Sequence, residues 1–213
     1  MKKLWVLLIL FVGPLVFYLF LTLGTINFSK LPVVSKNLDD ISNFKSENGT
    51  HYSLDNKVSV VCFLGDSLLK QKTNALNLNE KIYKRFYQYK DFQMFTIVPN
   101  GSDKAVKELK KELGVITDLK NWHFIYGTPK TIDIFFKSFK TNLSLDANSY
   151  IPQAFIIDKK RNLRGRNDDE DSLNNILFGY DASIVSPIHQ KMVDDVKVLL
   201  AEYRRAVKSK KDV

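Results

Sequence analysis

The sequence predicts an α/β protein: a three-layer α/β/α domain with a mixed central sheet and an added N-terminal hairpin, preceded by one transmembrane helix. Two observations carry this prediction. Apolar runs typical of strands alternate with stretches in which apolar residues recur every three or four positions, as they do in amphipathic helices. Strands separated by helices pair in parallel, whereas the last two predicted strands are joined by a short turn and must run antiparallel.

The N-terminal stretch, residues 4–23, is uncharged and follows Lys2 and Lys3. At about 1.5 Å per residue it reaches about 30 Å, the thickness of the hydrocarbon layer of a bilayer. A cleaved signal peptide, which usually has an apolar region of about 7 to 15 residues, is the alternative. Because the cationic end of an anchor stays inside, we expect a single-pass protein of the membrane, the inner membrane if bacterial, with a cytoplasmic N-terminus and a periplasmic or exoplasmic soluble domain. The predicted anchor, tether, folded domain and basic tail cover residues 1–24, 25–43, 44–208 and 209–213.

A single cysteine among 213 residues excludes an internal disulfide, a Cys-x-x-Cys redox pair and a thiolate zinc cage. The net charge of +9 permits contact with nucleic acid or anionic lipid. No block of Lys and Arg, RNA-binding motif or zinc-finger pattern accompanies that charge, so nucleic-acid binding is not predicted. We expect no cofactor and no bound metal.

The first half of the domain contains one turn signal, one strand and one helix. Asn48-Gly49 between the short flanks of residues 44–54 is the sequence of a tight hairpin. The near-continuous apolar run Val58–Leu64 predicts a strand covered on both faces. Apolar residues at spacings of four, four and three predict a helix over residues 73–89.

The second half continues the alternation of strands and helices. The further strands are predicted over residues 92–98, 122–126, 153–157 and 163–166. The further helices are predicted over residues 103–113, 130–139 and 187–208. Ser102 and Thr128 precede two of these helices and are of the type that caps helix N-termini, and Pro129 suits a first helical position.

Four segments carry a family resemblance: the strand VSVVCFL with the loop and helix after it, TIVPNGSDKAVKELKKELGV, WHFIYGTPKTI, and IPQAFIIDKKRNLRGR. Together they resemble the thioredoxin-like superfamily, and within it the membrane-anchored SCO/SenC-type branch, over about residues 31–208. The last segment is the most specific. Thioredoxin-like proteins place a cis-proline just before a β-hairpin of this form, and Pro152 stands at that point.

The same resemblance shows which functional residues are missing. SCO-type copper proteins have Cys-x-x-x-Cys in the loop after the first long strand and a histidine shortly before the later hairpin, since thiolates and imidazole hold copper selectively. The resemblance places the cysteines at Gly65 and Leu69 and the histidine at Ser149 or Tyr150. All three ligands are therefore absent, and copper delivery by the family's mechanism is not predicted.

The remaining reactive side chains favour structural roles. Cys62 lies within a predicted strand and is expected to be a small buried apolar residue rather than a nucleophile. The histidines, His51, His123 and His189, do not have the spacing of metal ligands. Residues 167–171 carry four acids without the order of an EF-hand loop, so we expect a solvated acidic loop.

In the fold that the resemblance implies, the loop after the first long strand, the start of the next helix and the proline loop converge on one surface. The predicted binding surface is formed by Gly65, Asp66, Ser67, Leu69, Tyr150, Pro152 and Gln153. We expect it to hold an extended peptide by strand pairing at the proline loop.

The sequence therefore predicts a membrane-anchored, outward-facing thioredoxin-like protein, anchored through residues 4–23, that acts as a non-catalytic binding or assembly factor. Its expected partners are envelope or respiratory-complex proteins. Two alternatives stay open: an SCO-like copper chaperone with substitute ligands, and a thiol-dependent reductase or peroxidase that uses Cys62.

Overall fold

A computed structural model describes residues 2–23 and 30–209 of the chain. The first of these ranges is helix α1, Lys2–Leu23, which contains Pro14. Among the described residues, no helix meets the length and hydropathy that crossing a membrane requires. The start of the predicted tether and residues 210–213 of the predicted basic tail lie outside the described residues.

The sheet is mixed, as the sequence predicts. Its strands are β1 Val33–Ser35, β2 Lys45–Ser46, β3 Val58–Leu64, β4 Phe92–Pro99, β5 Trp122–Gly127, β6 Tyr150–Ile157, β7 Leu163–Arg164 and β8 Tyr180–Asp181. The spatial order is β1-β7-β6-β3-β4-β5-β2, and β8 also pairs with β6. Strands β3, β4 and β5 are parallel, as expected for strands joined by helices, and β6 and β7, which a short turn joins, are antiparallel as predicted. Strand β6 is also antiparallel to β3, although a helix precedes it, which the sequence did not predict.

Four further helices join these strands. Helix α2 runs through Lys72–Leu78, a π-helical turn Asn79–Tyr83 and Lys84–Phe86, and so ends three residues before the predicted end. Helix α3 is Asp103–Ile116 and helix α4 is Pro129–Lys137. The closing helix α5 comprises Val185–Pro187, a π-helical turn Ile188–Met192 and Val193–Ser209. A short 3-10 turn, Leu173–Asn175, precedes β8.

Strand β3 separates two apolar cores because its successive side chains point to opposite faces. Val60 and Cys62 belong to the core that is covered by α2, α3 and α5. Val61 and Phe63 belong to the core that is covered by α4 and by residues 38–44. Every residue of β3 is buried, so the sheet is the middle layer of three, as the near-continuous apolar run predicts.

The predicted N-terminal hairpin is wrong. The turn itself forms, since the Asn48 side chain accepts a hydrogen bond from the Thr50 N–H at 3.2 Å and Gly49 has φ +70°. However, β2 pairs with β5 at one edge of the sheet, and β1 pairs with β7 at the other edge. After the turn the chain is held by side chains instead: the Leu54 N–H donates to Asp40 Oδ1 at 2.8 Å. An Asn-Gly turn reverses the chain but does not supply a second strand.

The two predicted helix caps have different outcomes. The Thr128 hydroxyl accepts the Thr131 N–H at 3.1 Å, with Pro129 in the first turn, which confirms that cap. The Ser102 side chain makes no capping hydrogen bond, so that prediction is wrong. The backbone explains the difference: Thr128 is extended, with ψ 155°, whereas Ser102 has ψ 7°. A capping side chain reaches the first free N–H groups only from an extended residue.

A buried charged cluster joins the start of the domain to its closing helix. The Arg164 guanidinium donates to Asp158 Oδ2 and to Glu202 Oε1, each at 2.9 Å, and to the Leu31 carbonyl. Arg164 and Asp158 are almost completely buried, with 6% and 2% of their side chains exposed. The chain therefore enters the domain beside Glu202 of α5.

Candidate functional site

The loop after β3 is pressed against the residues that precede β6. Gly65 has φ +66°, a backbone conformation that L side chains rarely adopt. A Cβ atom at this position would lie 2.6 Å from the Asn148 carbonyl oxygen and 2.9 Å from the Tyr150 Cβ. The Asp66 N–H donates to the same carbonyl at 3.1 Å. The position that the family resemblance assigns to the first cysteine is therefore closed to a side chain.

The rest of this loop turns three side chains, Asp66, Leu69 and Lys70, towards solvent. The Ser67 hydroxyl donates to Asp66 Oδ1 at 3.0 Å, and the Lys70 N–H closes a turn on the Ser67 carbonyl at 2.9 Å. Asp66 is exposed, and Leu69 is 37% exposed. Asp66, Leu69 and Lys70 are thus the exposed side chains of this loop that a partner can reach.

Tyr150 ties the start of α2 to the start of β6. Its hydroxyl accepts a hydrogen bond from Asn74 Nδ2 at 3.1 Å, and burial raises the pKa of that hydroxyl. Its N–H donates to Asp146 Oδ1 at 2.8 Å, and its carbonyl accepts the Asp146 N–H at 2.9 Å. Sequence reasoning missed Asn74. Its position in the sequence could have identified it, because Asn74 lies four residues before Leu78 and is a polar residue within the apolar stripe of α2.

Pro152 lies within β6, opposite an irregularity in the register of β3 between Cys62 and Phe63. None of the peptide bonds in the described part of the chain is cis, so the prediction of a cis-proline is wrong. A proline inside a sheet has no N–H to donate and is tolerated at such bulges. The Pro152 carbonyl accepts the Ala182 N–H at 2.9 Å.

Strand β8, which sequence reasoning missed, covers this edge of β6. Gln153 is paired with Asp181, and Gln153 Oε1 is buried without a hydrogen-bond partner among the described residues. Asn77 Nδ2 of α2 donates to the Ala182 carbonyl at 3.0 Å, which fixes the segment after β8 to the same helix. The main-chain groups around Pro152 are already bonded within the chain, which does not fit the expectation of strand pairing there.

Of the predicted surface, the structure joins Gly65 and Asp66 to Tyr150 through direct packing and the Asn148 carbonyl. Leu69 stands on the same loop, facing solvent. Pro152 and Gln153 follow Tyr150 along β6 but are engaged by β8. The reachable part of the surface therefore consists of side chains rather than a free strand edge.

Cys62 is buried in the middle of the sheet. Its Sγ lies 3.3 Å from Thr96 Oγ1, which also accepts the Trp122 indole N–H at 2.8 Å. Burial raises the pKa of the Cys62 thiol to about 12. The thiolate is the nucleophilic form of cysteine, so the thiol is unreactive at neutral pH in the folded protein. The structure confirms the sequence interpretation of Cys62 as a core residue.

His123 is a packed side chain on β5. Its ring stacks on Tyr52 with the ring centroids 4.1 Å apart. Burial, together with the charges of Lys57 and Lys110, lowers the pKa of His123 to about 4. The imidazole is therefore neutral at physiological pH and packs as an aromatic ring.

Two carboxylates of the acidic loop, residues 167–171, form ion pairs with one lysine, Lys191. Asp169 is buried and accepts a hydrogen bond from Lys191 Nζ at 2.6 Å, and Asp171 accepts another from the same group at 2.9 Å. Burial opposes ionisation of Asp169, but the hydrogen bonds from Lys191 and Ser172 hold its pKa below the ordinary value. The expectation of a fully solvated loop is therefore wrong for Asp169.

The donor set for copper does not fit this site. At the positions that the resemblance assigns to the ligands, Gly65, Leu69, Ser149 and Tyr150 offer neither a thiolate nor an imidazole. Within residues 2–23 and 30–209, no group of three or more His, Cys, Asp or Glu side chains is arranged to hold a metal ion.

Comparisons with known proteins show that this chain is similar to several of them in fold. No protein family model matches the chain, and no curated protein matches its sequence. A SCO1/SenC family lipoprotein from Bacillus anthracis str. Ames matches with a TM-score of 0.54 and 18% identity, over 81% of this chain and 99% of that one. A proposed protein disulfide isomerase from Bacteroides thetaiotaomicron matches with a TM-score of 0.54 and 14% identity, over 84% and 98%.

BsSco, a member of the Sco family of cytochrome c oxidase assembly proteins, matches with a TM-score of 0.52 and 14% identity, over 80% of this chain and 97% of that one. At these identities the similarity shows the fold alone. The single, buried cysteine agrees with the absence of the SCO-type ligands. The chain therefore has the thioredoxin-like fold, with SCO/SenC family and thioredoxin-like proteins as its structural neighbours.

Proposed function

We propose that this chain is a membrane-anchored, outward-facing thioredoxin-like protein that acts as a non-catalytic binding or assembly factor. One observation carries the proposal: the chain's only thiol, Cys62, is buried between the sheet and its helices with a pKa raised to about 12. The loop position at which a reactive cysteine would stand is Gly65, where a Cβ atom has no room. With no reactive thiol at this surface, binding is the activity that we propose for it.

The anchoring part of the proposal is supported by the uncharged sequence of residues 4–23 and by the exposure of apolar side chains on helix α1. The side chains of Trp5, Ile9, Phe11 and Phe17 are between 62% and 71% exposed. Apolar side chains around a whole helix need an apolar environment, and residues 4–23 are uncharged over the length that a bilayer requires. Lys2 and Lys3 favour a cytoplasmic N-terminus, which directs the domain outward. The Bacillus anthracis neighbour, a lipoprotein, is consistent with an exported domain.

The binding part of the proposal uses side chains around the loop after β3. Asp66 offers an exposed carboxylate and Leu69 an exposed apolar contact. Beyond β8, the apolar side chain of Ile184 is 54% exposed. We propose envelope or respiratory-complex proteins as the partners. The description of BsSco as belonging to a family of cytochrome c oxidase assembly proteins supports an assembly role.

Co-purification from detergent-solubilised membranes tests the binding surface. Leu69→Arg places a charge in the candidate surface at a residue that is 37% exposed and belongs to neither apolar core. Val115→Arg is the matched control, because Val115 is an 87% exposed apolar residue on α3. We expect the wild-type chain and Val115→Arg to retain the same partner proteins and Leu69→Arg to lose them. Retention of every partner by Leu69→Arg would refute the proposal that this surface binds them.

Extraction of membranes with alkaline carbonate tests the anchor separately. An integral protein stays in the membrane pellet under this treatment, whereas a peripheral one is released. We expect the full chain to stay in the pellet and a chain without residues 4–23 to be absent from it. Release of the full chain would refute the anchoring.

A further inference from the structure

Two neighbouring segments of the domain carry positive charge with almost no acid. Residues 81–90 contain four Lys or Arg and no acid, and residues 197–211 contain six with one acid, Glu202. We call the exposed side of these two segments the basic face. Its described exposed cations are Lys84, Arg85, Lys90, Lys197, Arg204 and Arg205.

A cleft of about 240 Å³ joins the two segments. Phe86, Leu200 and Ala201 form its apolar part, and Lys197, Arg204 and Arg205 lie at its rim. The Arg204 guanidinium is held over the ring of Tyr89, 5.5 Å from the centroid. The basic face thus combines cations with an apolar recess, the combination found on surfaces that lie against lipid headgroups.

Nearby carboxylates reduce this charge only in part. Glu202 turns to Arg164 at 2.9 Å, and Asp91 pairs with Lys159 at 2.6 Å. Among the cations of the face, Lys84 pairs with Glu80 at 3.2 Å and Lys197 pairs with Asp194 at 2.9 Å. Both pairs are solvent-exposed and contribute little, so their lysines can still attract anions.

After α1 the chain enters the domain beside α5, the helix that also carries Arg204 and Arg205. Arg164 binds both the Leu31 carbonyl and Glu202, and Glu202 is two residues before Arg204 on α5. Seven residues, 24–30, separate α1 from Leu31 and can span at most about 25 Å. An anchor in the bilayer therefore keeps this end of the domain within reach of the headgroups.

We propose that the basic face binds the anionic headgroups of the membrane in which the chain is anchored. The proposal rests on the anchoring proposed above. The short segment between α1 and Leu31, residues 24–30, favours a lipid surface over an acidic segment of a partner protein. The contact fixes the orientation of the domain on the membrane.

The full chain, reconstituted in nanodiscs of phosphatidylcholine with or without phosphatidylglycerol, provides the test. A fluorophore attached to Ala201→Cys reports on the cleft, because Ala201 is exposed and Cys62 is buried. Quencher groups on the lipid headgroups then measure the docked fraction. We expect quenching in discs with phosphatidylglycerol, weaker quenching without it, and a decrease when salt is raised.

Neutral variants provide the matched comparison. Each Lys or Arg near an anionic surface contributes about fivefold to binding, so Arg204→Gln with Arg205→Gln should lower the docked-to-free ratio about 30-fold. Lys107→Gln with Lys111→Gln removes two exposed cations from α3 and should change the ratio less than about twofold.

The outcomes separate this proposal from the anchoring. A chain that does not co-elute with discs of either composition would refute the anchoring, and the lipid contact with it. A chain that co-elutes, with quenching independent of phosphatidylglycerol or of Arg204 and Arg205, would overturn the lipid contact alone. A label that responds to an added polyglutamate peptide and not to phosphatidylglycerol would also overturn it, and would assign the basic face to an acidic protein segment.

Discussion

Replacing Gly65 by alanine should destabilise the domain by about 3 kcal/mol. A left-handed backbone costs an L-residue about 1 to 2 kcal/mol, and Gly65 has φ +66°. The new Cβ atom would lie 2.6 Å from the Asn148 carbonyl oxygen, and forcing such a contact apart costs about 1 to 3 kcal/mol. The smaller conformational entropy of the unfolded chain offsets about 0.4 to 1 kcal/mol of this.

Gly49→Ala is the matched control, because Gly49 has φ +70° but no atom within 4 Å of the place that a Cβ would take. It should lower the free energy of unfolding by only about 1 kcal/mol. Urea unfolding of the full chain in mild detergent, followed by tryptophan fluorescence, measures both variants, since Trp122 lies within the folded domain. With a slope of about 2 kcal/mol per molar, the midpoints should fall by about 1.5 M and about 0.5 M. Equal midpoints for the two variants would refute the close packing of the loop after β3, and with it the exclusion of a side chain at position 65.

Three further predictions follow from buried groups. Cys62 should react with a thiol reagent only as fast as the protein unfolds, because burial raises its pKa to about 12; rapid labelling of the native protein would contradict this. His123 stays neutral in the folded protein down to about pH 4, whereas the unfolded chain is protonated near pH 6.5, so protons favour unfolding between these values. Through His123 the wild type should therefore lose about 2 kcal/mol of stability from pH 6.5 to pH 4, after allowance for the partial exposure of the ring. The variant His123→Phe should not show this part of the loss. Denaturant midpoints across this pH range measure the difference, and identical pH profiles for the two proteins would refute the prediction. Arg164→Met leaves Asp158 buried without its cation and should cost about 3 to 5 kcal/mol in thermal or urea unfolding, a loss that a second change, Asp158→Asn, should partly restore.

The core of the fold could be predicted because its strands are apolar on both faces. Ser59 is the only polar side chain in the run Val58–Leu64 apart from the thiol of Cys62, so the composition of the run alone predicts a central strand. The short strands could not be found in this way. Strand β8 has two residues and β2 has two, and both exist because a partner strand offers an edge, which no local pattern records.

The site shows the same division. The absence of cysteine ligands at positions 65 and 69 could be predicted from their place along the chain. The burial of Cys62 could be predicted from its place in a strand. The contact between Gly65 and Asn148 joins residues 83 positions apart, and the link from Asn74 to Tyr150 joins residues 76 apart. Such contacts depend on tertiary packing, so sequence patterns cannot reveal that position 65 is closed or that β8 covers Pro152.

The central claim is that the chain acts by binding, without thiol chemistry. Co-purification of partner proteins with full-length Cys62→Ala, compared with the wild-type chain on non-reducing gels, tests this claim most directly. We expect both proteins to retain the same partners, with no partner attached through a disulfide. Loss of the partners in Cys62→Ala, or a mixed disulfide formed by the wild-type chain, would contradict it.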